Sequence, residues 1–346
     1  MAMTTTANPA DVANRLQTHF SPKLLDHTVD TLVMDQFAVT QDLPKNLGAK
    51  TMRFFKPRPA NRANVLGSVG GTALVEGVAP STYTESTMGY VDVTLAQKGQ
   101  VAKLSDVLRA IDAYEPLKQL IRSMGEDAAQ DFDWSITYAI AQGMLNSDGL
   151  FERFAGVAGT SDSSADYATL LAAASSATKI TRARALACVT QLMAQKVPKI
   201  NGGYVCVVPP QVMHDIRQDT DWLAAATNSK PEQLYKRGVV TLDGVTYVES
   251  TLPWIEGNTY GTYDATGTVF TSMFLGRGAY GCPKLAGSSS PMRPKVIVLD
   301  KEDKMDPLGQ YVLAGWKAFY AAALLKTNQA ADVPFLCLLR SKSTFA

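Results

Sequence analysis

The sequence predicts an α+β fold, and three observations carry that prediction. One helical pattern runs unbroken from about Glu115 to Gln142. Before it lies a Gly-, Pro-, Asn- and Ser-rich stretch flanked by alternating strand patterns. After it, two low-complexity stretches, "GTSDSSADYATLLAAASSAT" (159–178) and "AGSSSPMRP" (286–294), bracket a segment with its own αβ order.

Bulk properties narrow the field first. The 346 residues suffice for one large domain or two ordinary ones. Hydrophobic residues make up 46% and charged ones 19%, a globular and not a disordered balance. The net charge of +1 gives no global field toward nucleic acid or an anionic membrane, so any electrostatic partner must meet a local patch. The opening "MAMTTTANPADVANRL" lacks the basic and apolar regions of a signal peptide. The longest apolar runs, such as "AAALL" at 321–325, fall short of the ~20 residues that span a bilayer. Cys188, Cys206, Cys282 and Cys337 lie far apart with no C-x-x-C pair, which predicts buried free thiols in a reducing cytoplasm.

In chain order, residues 1–48 form an arm with two short helical patterns. Val12, Leu16 and His19 share one face, and Leu24, Leu25, Thr28, Val29, Leu32 and Val33 share another. Neither face has a partner nearby, so the arm is expected to dock elsewhere. The next stretch alternates at Met52 and Phe54 and again from Tyr90 to Thr94, while its middle cannot pack a core; it reads as a long exposed β-hairpin. In the long helix, Pro116 suits the first turn. Leu117, Leu120, Ile121, Met124, Ala128, Phe132, Ile136, Ala139 and Ile140 follow helical spacing, and Gly143 is the expected stop. Such a helix is roughly 40 Å long, a structural beam. The bracketed segment reads as helix 182–196, strand "YVCVVP", a helix after Pro209-Pro210, a hairpin turning at Asp243-Gly244, and strand "TVFTSMFL". "KVIVLD", "YVLAGWKAFYAAALL" and "PFLCLLRS" then return as strands expected to rejoin the long helix.

The sequence offers little catalytic chemistry. Gly276, Gly278 and Gly281 match the spacing G-x-G-x-x-G, but a dinucleotide fingerprint needs a helix after the glycine turn. Here Cys282-Pro283 and a small-residue linker come next, so the motif reads as a turn leaving a strand. "LGAKT" (47–51) lacks phosphate-loop spacing, and "GSVGG" (67–71) has no helix after it. The three histidines, His19, His27 and His214, form no zinc-ligand spacing, and no G-x-S-x-G elbow exists. No catalytic residue, cofactor site or metal site is assigned.

Two charged stretches stand out. Between Asp42 and Glu76 no acidic residue occurs, while Lys45, Lys50, Arg53, Lys56, Arg58 and Arg62 do, with Phe54 and Phe55 interleaved. Such a strand can bind single-stranded nucleic acid, clamp an acidic surface of a neighbouring subunit, or simply be solvated. Glu126, Asp127, Asp131 and Asp133 make an acidic stretch on the long helix, read as a solvated or partner-facing surface.

The order of arm, long hairpin, beam helix, inserted segment and closing strands, with no catalytic constellation, suits a building block. Four motifs support this: "LVEGVAPS" (74–81), "GQVAKLSDVL" (99–108), "FLGRGAYG" (274–281) and "DPLGQYVLAGWKAFYAA" (306–322). In their order and spacing the chain resembles the major capsid proteins of tailed double-stranded DNA bacteriophages, with the HK-97 type fold, and more narrowly the branch typified by coliphage N-four. That resemblance implies an N-terminal arm (1–48), an extended loop (49–102), a peripheral domain with the spine helix (103–180 and 290–346), and an axial domain (181–289) at the capsomer centre. It implies a non-enzymatic protein that assembles with itself into hexamers and pentamers. These form the icosahedral head enclosing double-stranded DNA. The expected location is the virion capsid, assembled in the bacterial host cytoplasm. The arm is short for a built-in scaffold, so a separate scaffolding protein is implied, with a portal, a decoration protein, non-specific contact with packaged DNA, and no membrane. By the same resemblance, Lys50, Arg53, Lys56 and Arg58 on the hairpin flank reach over an adjacent subunit. Glu126, Asp127, Asp131 and Asp133 on the spine helix receive them. The alternatives are an encapsulin-like compartment shell, which shares the fold, and a nucleotide-binding α/β enzyme.

Overall fold

The computed structural model describes residues 33–43, 50–57, 76–77, 88–111, 116–145, 152–154, 178–220, 222, 240–251, 255–256, 269–285, 295–299, 308–327 and 334–343. A 3-10 turn (Met34–Phe37) precedes strands β1 (Val39–Leu43), β2 (Thr51–Pro57), β3 (Met88–Thr94) and β4 (Ala96–Ser105). Helices α1 (Asp106–Ile111) and α2 (Pro116–Leu145) and strand β5 (Glu152–Phe154) come next. The bracketed segment holds α3 (Arg182–Ala194), β6 (Tyr204–Val208), α4 (Pro210–Gln218), β7 (Val240–Leu242), β8 (Val245–Glu249), β9 (Ile255–Glu256), β10 (Val269–Leu275) and β11 (Tyr280–Leu285). The closing strands are β12 (Lys295–Leu299), β13 (Tyr311–Tyr320), β14 (Ala323–Leu324) and β15 (Leu336–Ser341). Residues 159–177 and 286–294, expected to be linkers, lie outside the described residues.

Helix α2 is the beam its sequence predicts. Met124, Ala128, Phe132, Ile136 and Ile140, four residues apart, form one buried stripe. The stripe packs on an antiparallel sheet of order β12-β13-β4. Alternation along β13 buries Val312, Ala314, Trp316, Ala318 and Tyr320, and Phe132 meets the Trp316 and Tyr320 rings edge-on at 5.7 and 5.0 Å. The helix does not stop at Gly143 but runs on to Leu145. A Cβ at Gly143 would stand 2.8 Å from Leu324 Cβ, so this glycine admits close packing and does not end the helix.

The bracketed segment centres on a second sheet, in which β5-β15-β10-β6-β8-β7 are neighbours and β9 pairs with β10. β6, β10 and β15 are buried along their whole length. At the β7–β8 turn, Asp243 and Gly244 both take positive φ, 52° and 75°, which matches the twist of the flanking strands. The sequence reading places residues 290–346 with the spine helix, yet β15 pairs with β10 from Phe270↔Ser341 to Leu275↔Leu336. The strand is buried along its whole length, Arg340 and Ser341 included, and it sits between β10 and β5.

The first helical pattern of the arm, and the second as far as residue 32, lie outside the described residues. Over residues 33–43 the arm docks on its own subunit. Met34 is buried; its N–H donates to Asp133 Oδ1 at 2.9 Å, and its carbonyl accepts from the Tyr280 hydroxyl. β1 then pairs in parallel with β11, from Val39↔Gly281 to Leu43↔Leu285.

Gly276 and Gly278 form the turn from β10 to β11, so the G-x-G-x-x-G spacing leads into a strand and not a helix. Gly278 has φ +83°. Gly276 is required for space instead: a Cβ there would overlap Val197 Cγ1 and stand 3.1 Å from the Phe335 carbonyl oxygen. Its N–H donates to that carbonyl, and Arg277 N–H donates to the Pro198 carbonyl. Gly276→Ala is expected to destabilise the subunit by about 1–3 kcal/mol through overpacking. A lowered urea midpoint at unchanged slope checks this; an unmoved midpoint contradicts it. All four cysteines are buried free thiols, as their surroundings in the sequence indicate.

Candidate assembly surface

Hairpin β2–β3 has two unlike faces because side chains alternate along paired strands. Its register runs from Thr51↔Thr94 to Pro57↔Met88. The inner face carries Phe54 and Val93, both buried. It is seated on the subunit's own strands: Phe54 lies against Gly281, Gly89 against Thr327, and Lys56 Nζ donates to the Leu325 carbonyl at 3.3 Å. Lys56 also stands 3.9 Å over the Phe335 ring.

The outer face carries Arg53, Phe55, Tyr90, Asp92 and Met88. Phe55 and Met88 are each 63% exposed, and Tyr90 is 42% exposed. Arg53 Nε and Nη2 both donate to Asp92 at 2.7 Å, and the guanidinium lies 4.0 Å over the Tyr90 ring. Hydrogen bonding to Arg53 lowers the Asp92 pKa, and the same bonds raise that of Arg53. A depressed carboxylate favours the folded state above its unfolded pKa, and that contribution is lost as pH falls through the folded value. In an NMR titration Asp92 is therefore expected to protonate below the ~3.9 of an ordinary aspartate. Arg53→Gln should return it upward; an ordinary midpoint in the unaltered protein would count against the pair.

The acidic stretch on α2 does not form one surface. Asp133 is 1% exposed and holds Met34, so its expected role at an inter-subunit surface is corrected to a cap for the arm. Asp133 follows Asp131 by two residues, about 200° round the helix, so the two carboxylates point to opposite sides. Glu126 pairs with Arg122 at 3.2 Å, and Asp131 lies 3.7 Å from Lys98 Nζ, which also donates to Ser135 Oγ and Tyr320 Oη. Asp127 and Asp131 line a groove of about 340 Å³ with Gln100, Gln130 and Trp134. Trp134 is stacked on Tyr138 at 5.3 Å.

Of the basic residues singled out, Lys50 and Arg53 are exposed, Lys56 turns inward, and Arg58 lies outside the described residues. Sequence reasoning missed Asp92, Tyr90 and Met88 as parts of the outer face, and Lys98 and Trp134 as parts of the groove. The hairpin register would have placed Asp92 opposite Arg53, but the long excursion leaves that register open in the sequence. Among the described residues no helix is long and apolar enough to cross a membrane.

A family model described as phage capsid protein matches residues 89–329. No curated protein matches the chain. Among solved structures, the chain is similar to the capsid of Ralstonia phage GP4, with TM-score 0.66 and 16% identity over 99% of each chain. It is similar to the cyanophage Pam1 capsid, with TM-score 0.67 and 13% identity over 100% of each. It is also similar to the acid-stable capsid of Helicobacter pylori bacteriophage KHP30, with TM-score 0.66 and 8% identity over 99% of each. These likenesses show a shared fold, the HK-97 type.

Proposed function

The chain belongs to the phage capsid protein family, and on that premise we propose how it builds its shell. The match over residues 89–329 carries the reading. It takes in β3 from Gly89, the spine helix and the bracketed segment. The protein is the major shell component of a phage capsid. Copies associate as hexamers and pentamers of an icosahedral head around double-stranded DNA. The bracketed segment (181–289) stands at the capsomer centre, and the hairpin reaches over the adjacent subunit.

The contact we propose joins the hairpin's outer face to the acidic face of a neighbour's spine helix. Phe55, Tyr90 and Met88 supply exposed apolar area, and exposed Lys50 supplies positive charge beside the Arg53–Asp92 pair. Asp127, Asp131 and Glu126, beside Trp134, supply the complement. Arg58 extends the basic flank in sequence. Exposed ion pairs are individually weak, but a shell repeats each contact in every subunit.

Four motifs in order support placement in the N-four-like branch, together with a separate scaffolding protein, a portal, a decoration protein and assembly in the host cytoplasm. The family's structural role supports a protein without enzymatic activity. Sedimentation velocity of the purified chain across a salt series tests the reading. Very large particles, fewer as salt rises, are expected because screening acts over ~10 Å at 0.1 M. A small oligomer at every salt concentration, carrying a nucleotide absorbance, would support the enzyme alternative instead.

A further inference from the structure

The two edges of the β12-β13-β4 sheet are unlike. The β4 edge carries one large exposed apolar residue, Val101, among Gln97, Lys98, Gln100 and Lys103, and such charges are the usual way a sheet edge is protected from other strands. The β12 edge is not protected in this way. Ile297, Val298 and Leu299 are consecutive, apolar and exposed at 39%, 38% and 56%. Exposure of consecutive residues leaves both faces of the strand open, and among the described residues β12 pairs only with β13. A run "VIVL" with no charge is a ready template for a further strand.

We propose that β12 pairs antiparallel with β12 of a second copy of this chain, joining two three-stranded sheets across a local two-fold axis. This rests on the shell reading, which surrounds every subunit with copies. The residue order selects the direction of that pairing. Centred on Ile297, an antiparallel pairing sets Ile297 opposite Ile297 and Lys295 opposite Leu299. The two lysines then lie roughly 14 Å apart along the strands, beyond the ~10 Å screening length at 0.1 M salt. A parallel in-register pairing would set lysine beside lysine. An isologous two-fold contact also closes on itself, so it links two subunits without propagating a fibre.

The test uses Ile297→Cys in the full chain, assembled into shells and treated with a short bis-maleimide. The native thiols give a low background because all four are buried, and burial pushes the Cys282 thiol up to about 12. Val101→Cys, 70% exposed on the β4 strand of the same sheet, is the control for chance encounters. Covalent dimers from Ile297→Cys in shells, absent from unassembled subunits and from the Val101→Cys control, are expected. Shells that form normally yet give no dimer, or give as much dimer from the control, overturn the strand pairing and leave the shell reading intact. If the unaltered chain builds no shell at all, the shell reading falls, and the pairing with it.

Discussion

Phe132→Ala is expected to lower the stability of the isolated subunit by about 3–5 kcal/mol, the usual range for a large aromatic removed from a core. Phe132 is 1% exposed at the middle of the α2 stripe, with edge contacts to Trp316 and Tyr320. Trp316 and Tyr320 are held by the sheet, so they cannot close the space left behind. For a domain of ordinary marginal stability, that loss is a large fraction of the total. Urea unfolding followed by circular dichroism would measure it. Tyr138→Ala, on the exposed side of the same helix, should move the midpoint little. A shift for Phe132→Ala no larger than that control would contradict the packing described for the spine.

Phe55→Asp is expected to leave the subunit folded and slow shell formation at least tenfold, equivalent to about 1.4 kcal/mol of barrier. Phe55 contributes little to its own subunit, since its neighbour Phe54 takes the buried place and Phe55 points outward at 63% exposure. An aspartate there removes apolar area and sets negative charge against Asp127 and Asp131 of the proposed partner. Arg53→Glu combined with Arg58→Glu is a less clean probe, because a glutamate at 53 would face Asp92 across the strand pair and disturb the hairpin itself. Light scattering would follow assembly, with circular dichroism as the folding control. Assembly at the normal rate would mean that this face is solvated or turned toward packaged DNA.

The parts of the fold legible in the sequence are those fixed by local periodicity or turn chemistry. The Met124-to-Ile140 stripe, the "YVCVV" and "VFTSMFL" strands and the Asp243-Gly244 turn each carry their own signal, and the structure holds them where the sequence places them. Long-range placement is different. Nothing around "PFLCLLRS" says that it must insert beside β10, because the reason is the coverage that its run Leu336–Leu339 needs from distant neighbours. Gly143 reads as a helix stop locally and is a packing glycine tertiarily. The candidate surface shows the same division. Its charge pattern is visible in sequence, but Asp133 lies across the helix from Asp131 and Lys56 alternates inward, so only three dimensions separate contact residues from internal ones.

The shell and the hairpin-to-helix contact can both be seen by cryo-electron microscopy of particles assembled from the purified chain. Closed icosahedral particles are expected, in which density for Thr51–Pro57 and Met88–Thr94 lies over a neighbouring subunit, with Phe55 and Tyr90 against its Asp127–Trp134 groove. Shells whose hairpins have their outer faces free of any neighbour would contradict the proposed contact. A preparation that yields only small oligomers would contradict the shell function itself.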